Sequence, residues 1–180
     1  MSDTTATTAP AITGERADLL EQLAMQRHYL RHTTRDLTDE QVGLRTTASE
    51  LCLGGLIKHV SAVERAWVDF ILEGPSAMPD FTSMTQAEQE RWTGIFRMLP
   101  GETLADVLAE YAETARRTDE LIAALPDLEV SQPLPPAPWY EPGARRSARR
   151  VVLGIIGETA QHAGHADILR ESLDGAKSMG

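Results

Sequence analysis

Apolar residues along this chain recur at intervals of three and four, and runs of strictly alternating β-branched residues are nearly absent, so the pattern predicts helices. A first helix is predicted over residues 15–36, with Leu19, Leu23, Leu30 and Leu37 near one stripe. Thr38-Asp39-Glu40-Gln41 has capping-box spacing and predicts one short turn. A second helix is predicted over 49–72, burying Leu53, Leu56, Val60, Val63, Trp67, Phe70 and Ile71 and stopping at Glu73-Gly74-Pro75. A connection over 74–102 carries a short helix at 86–98. The third long helix is predicted over 103–125, with Thr103 as N-cap and Pro126 as its end. Residues 132–143 are too proline-rich for a helix interior, and Trp139-Tyr140 predicts a loop packed across the body. The last helix is predicted over 147–173, with Gly175 as terminator.

Four long helices with long connections after the second and third imply an all-α four-helix bundle rather than a series of hairpins. A long connection can lay the next helix parallel to its predecessor. The expected organisation is a disordered lead-in over 1–13, one domain over 14–175 and a tail over 176–180. The first residues lack the basic and apolar regions of a secretory signal. No stretch approaches the ~18–20 consecutive apolar residues of a membrane helix. A single cysteine, Cys52, excludes an internal disulfide and fits a cytoplasmic protein. The net charge of −10 argues against a nucleic-acid partner. The basic cluster Arg145, Arg146, Arg149 and Arg150 is either a solvated helix face or a rim for a substrate carboxylate or phosphate.

Candidate chemistry concentrates in the last helix. At about 100° per residue, Glu158, His162 and His165 fall within an arc of roughly 60°. Val151, Ile155, Ile168 and Leu169 share that side, so the face is expected to look inward. Ionisable groups left unpaired there would cost several kcal/mol each. A divalent metal would satisfy them, since imidazole and carboxylate one turn apart can chelate one ion. His59, among Leu56, Val60 and Val63, is the expected ligand from a second helix. His59, Glu158 and His162 would leave positions open, as catalytic sites do. A hydrogen-bonded core histidine and a plain Glu158–His162 helix pair are the blander alternatives. His28 and His32 read as surface residues, Cys52 as a buried structural thiol, and Glu64 with Arg65 as a helix-surface pair or an interhelix contact.

Segments 55–67 (GLIKHVSAVERAW) and 157–171 (GETAQHAGHADILRE) resemble the DinB-like superfamily, in particular an actinobacterial branch related to mycothiol-dependent maleylpyruvate isomerases. The likeness spans about 15–175, and outside those two segments it rests on helix pattern alone. It implies an up-down-down-up bundle and a divalent metal, zinc or nickel, on His59, Glu158 and His162. Many relatives have His where this chain has Glu158, whereas the isomerase branch uses Glu. Relatives commonly place Gln three residues after the last ligand, where this chain has His165. His165 could bind the metal in place of Glu158, or orient a ligand or bound water, and it is the candidate acid or base.

The resemblance implies a metal-dependent thiol S-transferase or isomerase, activating mycothiol or a similar low-molecular-weight thiol against a small electrophile. Metal-assisted hydrolysis is a second reading, and a non-catalytic or stress-associated metal-binding bundle is a third. Bundles of this kind often pair through helix faces, so a homodimer is a further expectation.

Overall fold

Hydroxyl side chains decide where most helices of this chain begin. The computed structural model describes residues 12–78, 83–137 and 139–178, and among them the protein is mostly helical. Its helices are α1 (Glu15–His32), α2 (Asp39–Val42), α3 (Leu53–Glu73), α4 (Gln86–Gly94), α5 (Leu104–Ala124) and α6 (Ala148–Asp174), with a 3₁₀ turn at Gly74–Ala77. Thr38 and Thr85 close capping boxes with Gln41 and Glu88, while Thr103 and Ser147 accept the amides of Asp106 and Arg150. Gly175 ends α6 with φ 80°, a left-handed backbone that glycine adopts without strain. The lead-in expected over 1–13 lies, as far as residue 11, outside the described residues, as do residues 179–180 of the tail.

Two long helices are shorter than the apolar pattern predicts. α1 stops at His32, where Thr33 and Thr34 turn their hydroxyls onto the carbonyls of Leu30 and Arg31 at 2.7 and 2.8 Å. Asp36 then takes φ 59°. α3 begins at Leu53 rather than near 49, because Ser49 Oγ captures the Leu51 amide at 3.2 Å in a local turn. The proline-rich stretch is bracketed by two short antiparallel strands, β1 (Ser131–Pro133) and β2 (Arg145–Ser147), which the pattern did not predict. Its Trp139 is 61% exposed, and Tyr140 meets the body through Arg146, whose guanidinium lies 5.3 Å from the Tyr140 ring and 4.7 Å from Trp67.

The four long helices share two groups of buried side chains. One centres on Leu30, Leu56, Val60, Tyr111 and Ala166, the other on Leu23, Phe70, Ile122, Val152 and Ile155. α1 packs on α6 and α5, and α3 packs on α5 and α6. Side-chain pairs show their directions. Lys58–Glu102, Arg65–Glu110 and Asp69–Arg117 succeed one another in the same order on both segments, so α3 and α5 run parallel. Glu15 meets Arg149, and the Thr33 carbonyl meets Arg170, so α1 and α6 are parallel too. α3 opposes α6: His59 faces Glu158 and His162, whereas Trp67 faces Arg146. No described helix is long and apolar enough to cross a membrane.

Glu64 and Arg65 each make an interhelix contact, the second of their two expected roles, and Arg65 pairs with Glu110 on α5. Glu64 is 0% exposed, and both its oxygens bind the Arg27 guanidinium, with Nε at 3.3 Å from Oε2 and Nη2 on Oε1. Thr118 donates its hydroxyl to the same Oε1, and Arg27 also reaches Asp119 at 2.8 Å. Three helices thus meet on one carboxylate. Burial, followed by the Glu64 charge, holds the nearby Tyr111 phenol above its ordinary range. Removing one partner of a buried pair costs about 3–5 kcal/mol, while replacing both with apolar groups is far milder. Glu64→Ala is therefore expected to lower the unfolding free energy by about that amount in urea denaturation. Arg27→Met combined with Glu64→Leu should recover most of the loss. A double variant no more stable than Glu64→Ala would show that the pair is not what holds these helices together.

Candidate metal centre

His59 lies in the first half of α3, buried, with its ring stacked on Phe96 at 4.2 Å between centroids and 24° between planes. That stacking depends on two glycines. A Cβ on Gly55 would overlap the backbone of Phe96, and one on Gly54 would overlap the Met98 side chain. The bare helix lets the segment after α4 lie directly against it. Lys58 fastens the segment from the other side, donating to the Arg97 carbonyl at 3.0 Å and pairing with Glu102 at 2.6 Å. Cys52, buried at the N-cap of α3, sets its Sγ 3.8 Å from the Phe96 carbonyl.

Opposite His59, α6 presents Glu158 and His162 one turn apart. Glu158 Oε1 lies 3.0 Å from His59 Nε2 and 3.2 Å from His162 Nε2. One donor atom from each of the three residues falls within 4.8 Å of the others. The His59 and His162 rings meet edge to face at 4.8 Å. Glu158 is 32% exposed, which places the cluster at the rim of the core with one side open. Hydrogen bonds from His162 and then His59, aided by their charges and opposed by burial, hold the Glu158 carboxyl down to about 2.

These residues fit a divalent metal. Two imidazole nitrogens and an ionised carboxylate oxygen converge, a donor set that suits borderline cations such as zinc and nickel. His165 stands one ring behind them, with its Nδ1 3.3 Å from His162 Nδ1. His28 and His32 stack on each other on α1 and take no part in the cluster. Ile168, expected to look inward, is 60% exposed. The reason is rotational: the buried face of α6 centres on Val152, Thr159 and Ala166, and Glu158 sits at its border, so a position about 80° further out reaches solvent.

One helical turn past His59, Ala62 and Ala66 floor a cleft of ≈ 530 Å³ walled by Met84, Trp92 and Ile95. Neither this cleft nor Phe96 was foreseen from the apolar pattern. The Gly54-Gly55 pair inside a helix was the available signal, since adjacent helical glycines mark close approach of another backbone.

A family model of mycothiol-S-transferases matches residues 18–175. Among solved structures, a conserved protein from Enterococcus faecalis superposes with a TM-score of 0.64 at 12% identity, covering 92% of this chain and 100% of that one. At that identity the likeness is one of fold. No curated protein matches the chain. With the family match spanning nearly all the described residues, the chain belongs to the DinB-like mycothiol-S-transferase family.

Proposed function

We propose that the chain is a metal-dependent thiol S-transferase that joins a mycothiol-type thiol to a small electrophile. The observation that carries this reading is the meeting of His59 Nε2 and His162 Nε2 on one oxygen of Glu158, in a chain of this family. Three protein donors with one side open suit a catalytic ion, zinc or nickel, better than a closed structural one. When bound, such an ion supplies the Lewis acidity that brings a thiol's pKa towards neutrality.

The chain's own residues do the rest. His59 and His162 would hold the ion through Nε2, and Glu158 through its carboxylate. The His59 Nδ1 is buried without a partner among the described residues, so stacking on Phe96 is what orients that ring. His162 would donate its Nδ1–H to His165 Nδ1, which leaves Nε2 free of a proton for coordination. His165 then acts through His162, as a positioning residue rather than as a third ligand. Ala62 and Ala66, three and seven residues after His59 on α3, floor with Trp92 a cleft in which the electrophile would sit. The thiol releases its proton to solvent at the open side of Glu158, a sulfur–carbon bond forms, and the leaving group departs with its electron pair. This reading takes residues 14–175 as one up-down-down-up four-helix domain acting in the cytoplasm, supported by the parallel order of α3 and α5 contacts.

Elemental analysis of the purified protein is expected to find about one equivalent of divalent metal, lost in His59→Ala and in His162→Ala. Glu158→Ala should also lose it, whereas His165→Ala should retain it with affinity lowered about 10–100-fold. Metal kept in Glu158→Ala but lost in His165→Ala would exchange their roles. Cobalt(II)-substituted protein should change its visible spectrum on adding mycothiol. A spectrum that no thiol moves, together with ester hydrolysis, would replace transfer with water activation.

Acidification is expected to release the metal by protonating imidazole, because ligands must shed their protons to bind. Glu158 stays ionised down to about 2, so release on lowering the pH should be complete well before its carboxyl titrates. A release midpoint near pH 2, followed with a chromogenic chelator, would instead make the carboxylate the controlling group.

A further inference from the structure

The outward strip of α6 reads the same from both ends. Between residues 150 and 171 its exposed positions pair off about a midpoint between Ala160 and Gln161. Arg150 mirrors Glu171, Leu153 mirrors Ile168, and Gly157 mirrors Gly164, with Gln161 left over beside the midpoint. The pairs are a cation with an anion, two large aliphatic side chains, and two glycines. At about 100° per residue these positions share an arc of roughly 80°, so they form one continuous surface.

Nothing inside the chain accounts for that surface. Leu153 is 48% exposed and Ile168 60%. Glycine weakens a helix interior. At Gly54 and Gly55 the close approach of Met98 and Phe96 requires it, whereas a Cβ on Gly157 or Gly164 would meet no atom within 4 Å. The Arg150 guanidinium has no hydrogen-bond or ion-pair partner among the described residues. Glu171 pairs with Lys177 at 3.1 Å, both side chains being about half exposed, and such a pair is readily exchanged.

We propose that a second copy of this chain docks on the strip, α6 against α6, antiparallel about a two-fold axis near residues 160–161. A two-fold interface sets residue i of one copy on residue j of the other and the reverse. Arg150 then meets Glu171 of the second copy at each end, and Leu153 covers Ile168. Gly157 and Gly164 meet beside the axis, where missing side chains let the two helices approach closely. The charges select the direction, because a parallel pair would set Arg150 on Arg150 and Glu171 on Glu171. The symmetry selects the occupant: a partner of unrelated sequence has no cause to match every position to its mirror. Glu158 lies about 100° around the helix from Gly157, off the strip, so the pairing does not depend on a bound metal.

Sedimentation equilibrium of the full chain is expected to show a species of twice 19.7 kDa. Arg150→Glu and Glu171→Arg should each weaken the dimer at least about tenfold, since like charges then face each other. An equimolar mixture of the two variants should dimerise again, because each copy carries the charges the other lacks. Gly164→Glu should also yield monomer, with helix content unchanged by circular dichroism. Under mild oxidation Gln161→Cys should crosslink to its own copy, whereas Leu153→Cys should not, its two copies standing about 22 Å apart. Cys52, buried, is the only other thiol. A monomer persisting up to about 1 mM, where even a millimolar dissociation constant would show, overturns the proposal. So does a dimer that survives both charge reversals, or crosslinking of Leu153→Cys in place of Gln161→Cys.

Discussion

Glu158 accepts contacts from two imidazoles on two helices through a single oxygen, and the arrangement of α3 against α6 is bound up with that meeting. Ionisable groups at the edge of a core are costly unless each finds a partner. Here the partners come from opposite sides of one interhelical seam, so neither helix can turn or slide without exposing the other's charge. A rotation of α3 by one residue, about 100°, would carry His59 out of the seam altogether. The same contact that satisfies the buried edge also gathers three donor atoms in the geometry a small cation needs.

The height of His59 is set elsewhere. Lys58–Glu102, Arg65–Glu110 and Asp69–Arg117 step along α3 and α5 together, and Ser61 meets the Thr114 hydroxyl at 3.1 Å. The surface members of that ladder contribute little individually. Glu64, wholly buried on Arg27 and Thr118, is the member that ties α3 to α1 and α5 at a defined register. Buried polar groups of this kind stabilise one alignment over its neighbours, because any slip leaves a charge unpaired. Phe96 completes the arrangement from outside, closing over His59 where two glycines leave room.

The seam also explains why chemistry and access coexist. A cluster at the centre of the helices would be dry and sealed, and one on an exposed face would be poorly ordered. Glu158 at the border keeps one side towards solvent, while the small residues Ala62 and Ala66 leave a cleft along α3. Ordered donors within reach of solvent are what binding a second reactant requires.

Much of this was legible in the chain itself. The period of the leucines, the threonine and serine caps, and the glycine and proline stops placed the long helices to within a few residues, because those signals act locally. The shared face of Glu158, His162 and His165, and the apolar company of His59, were likewise readable from helical spacing. What spacing could not supply was any relation between helices. Glu64 reads equally as a surface pair or an interhelix contact until Arg27 is seen behind it, Ile168 reads as buried until the helix is rotated into place, and His165 reads as an alternative ligand or a residue behind the ligands until its ring is seen against His162. Periodicity specifies a face but not which neighbour that face will meet. That choice was made by tertiary packing, where buried charges and a close glycine contact admit few alignments of α3 with α6.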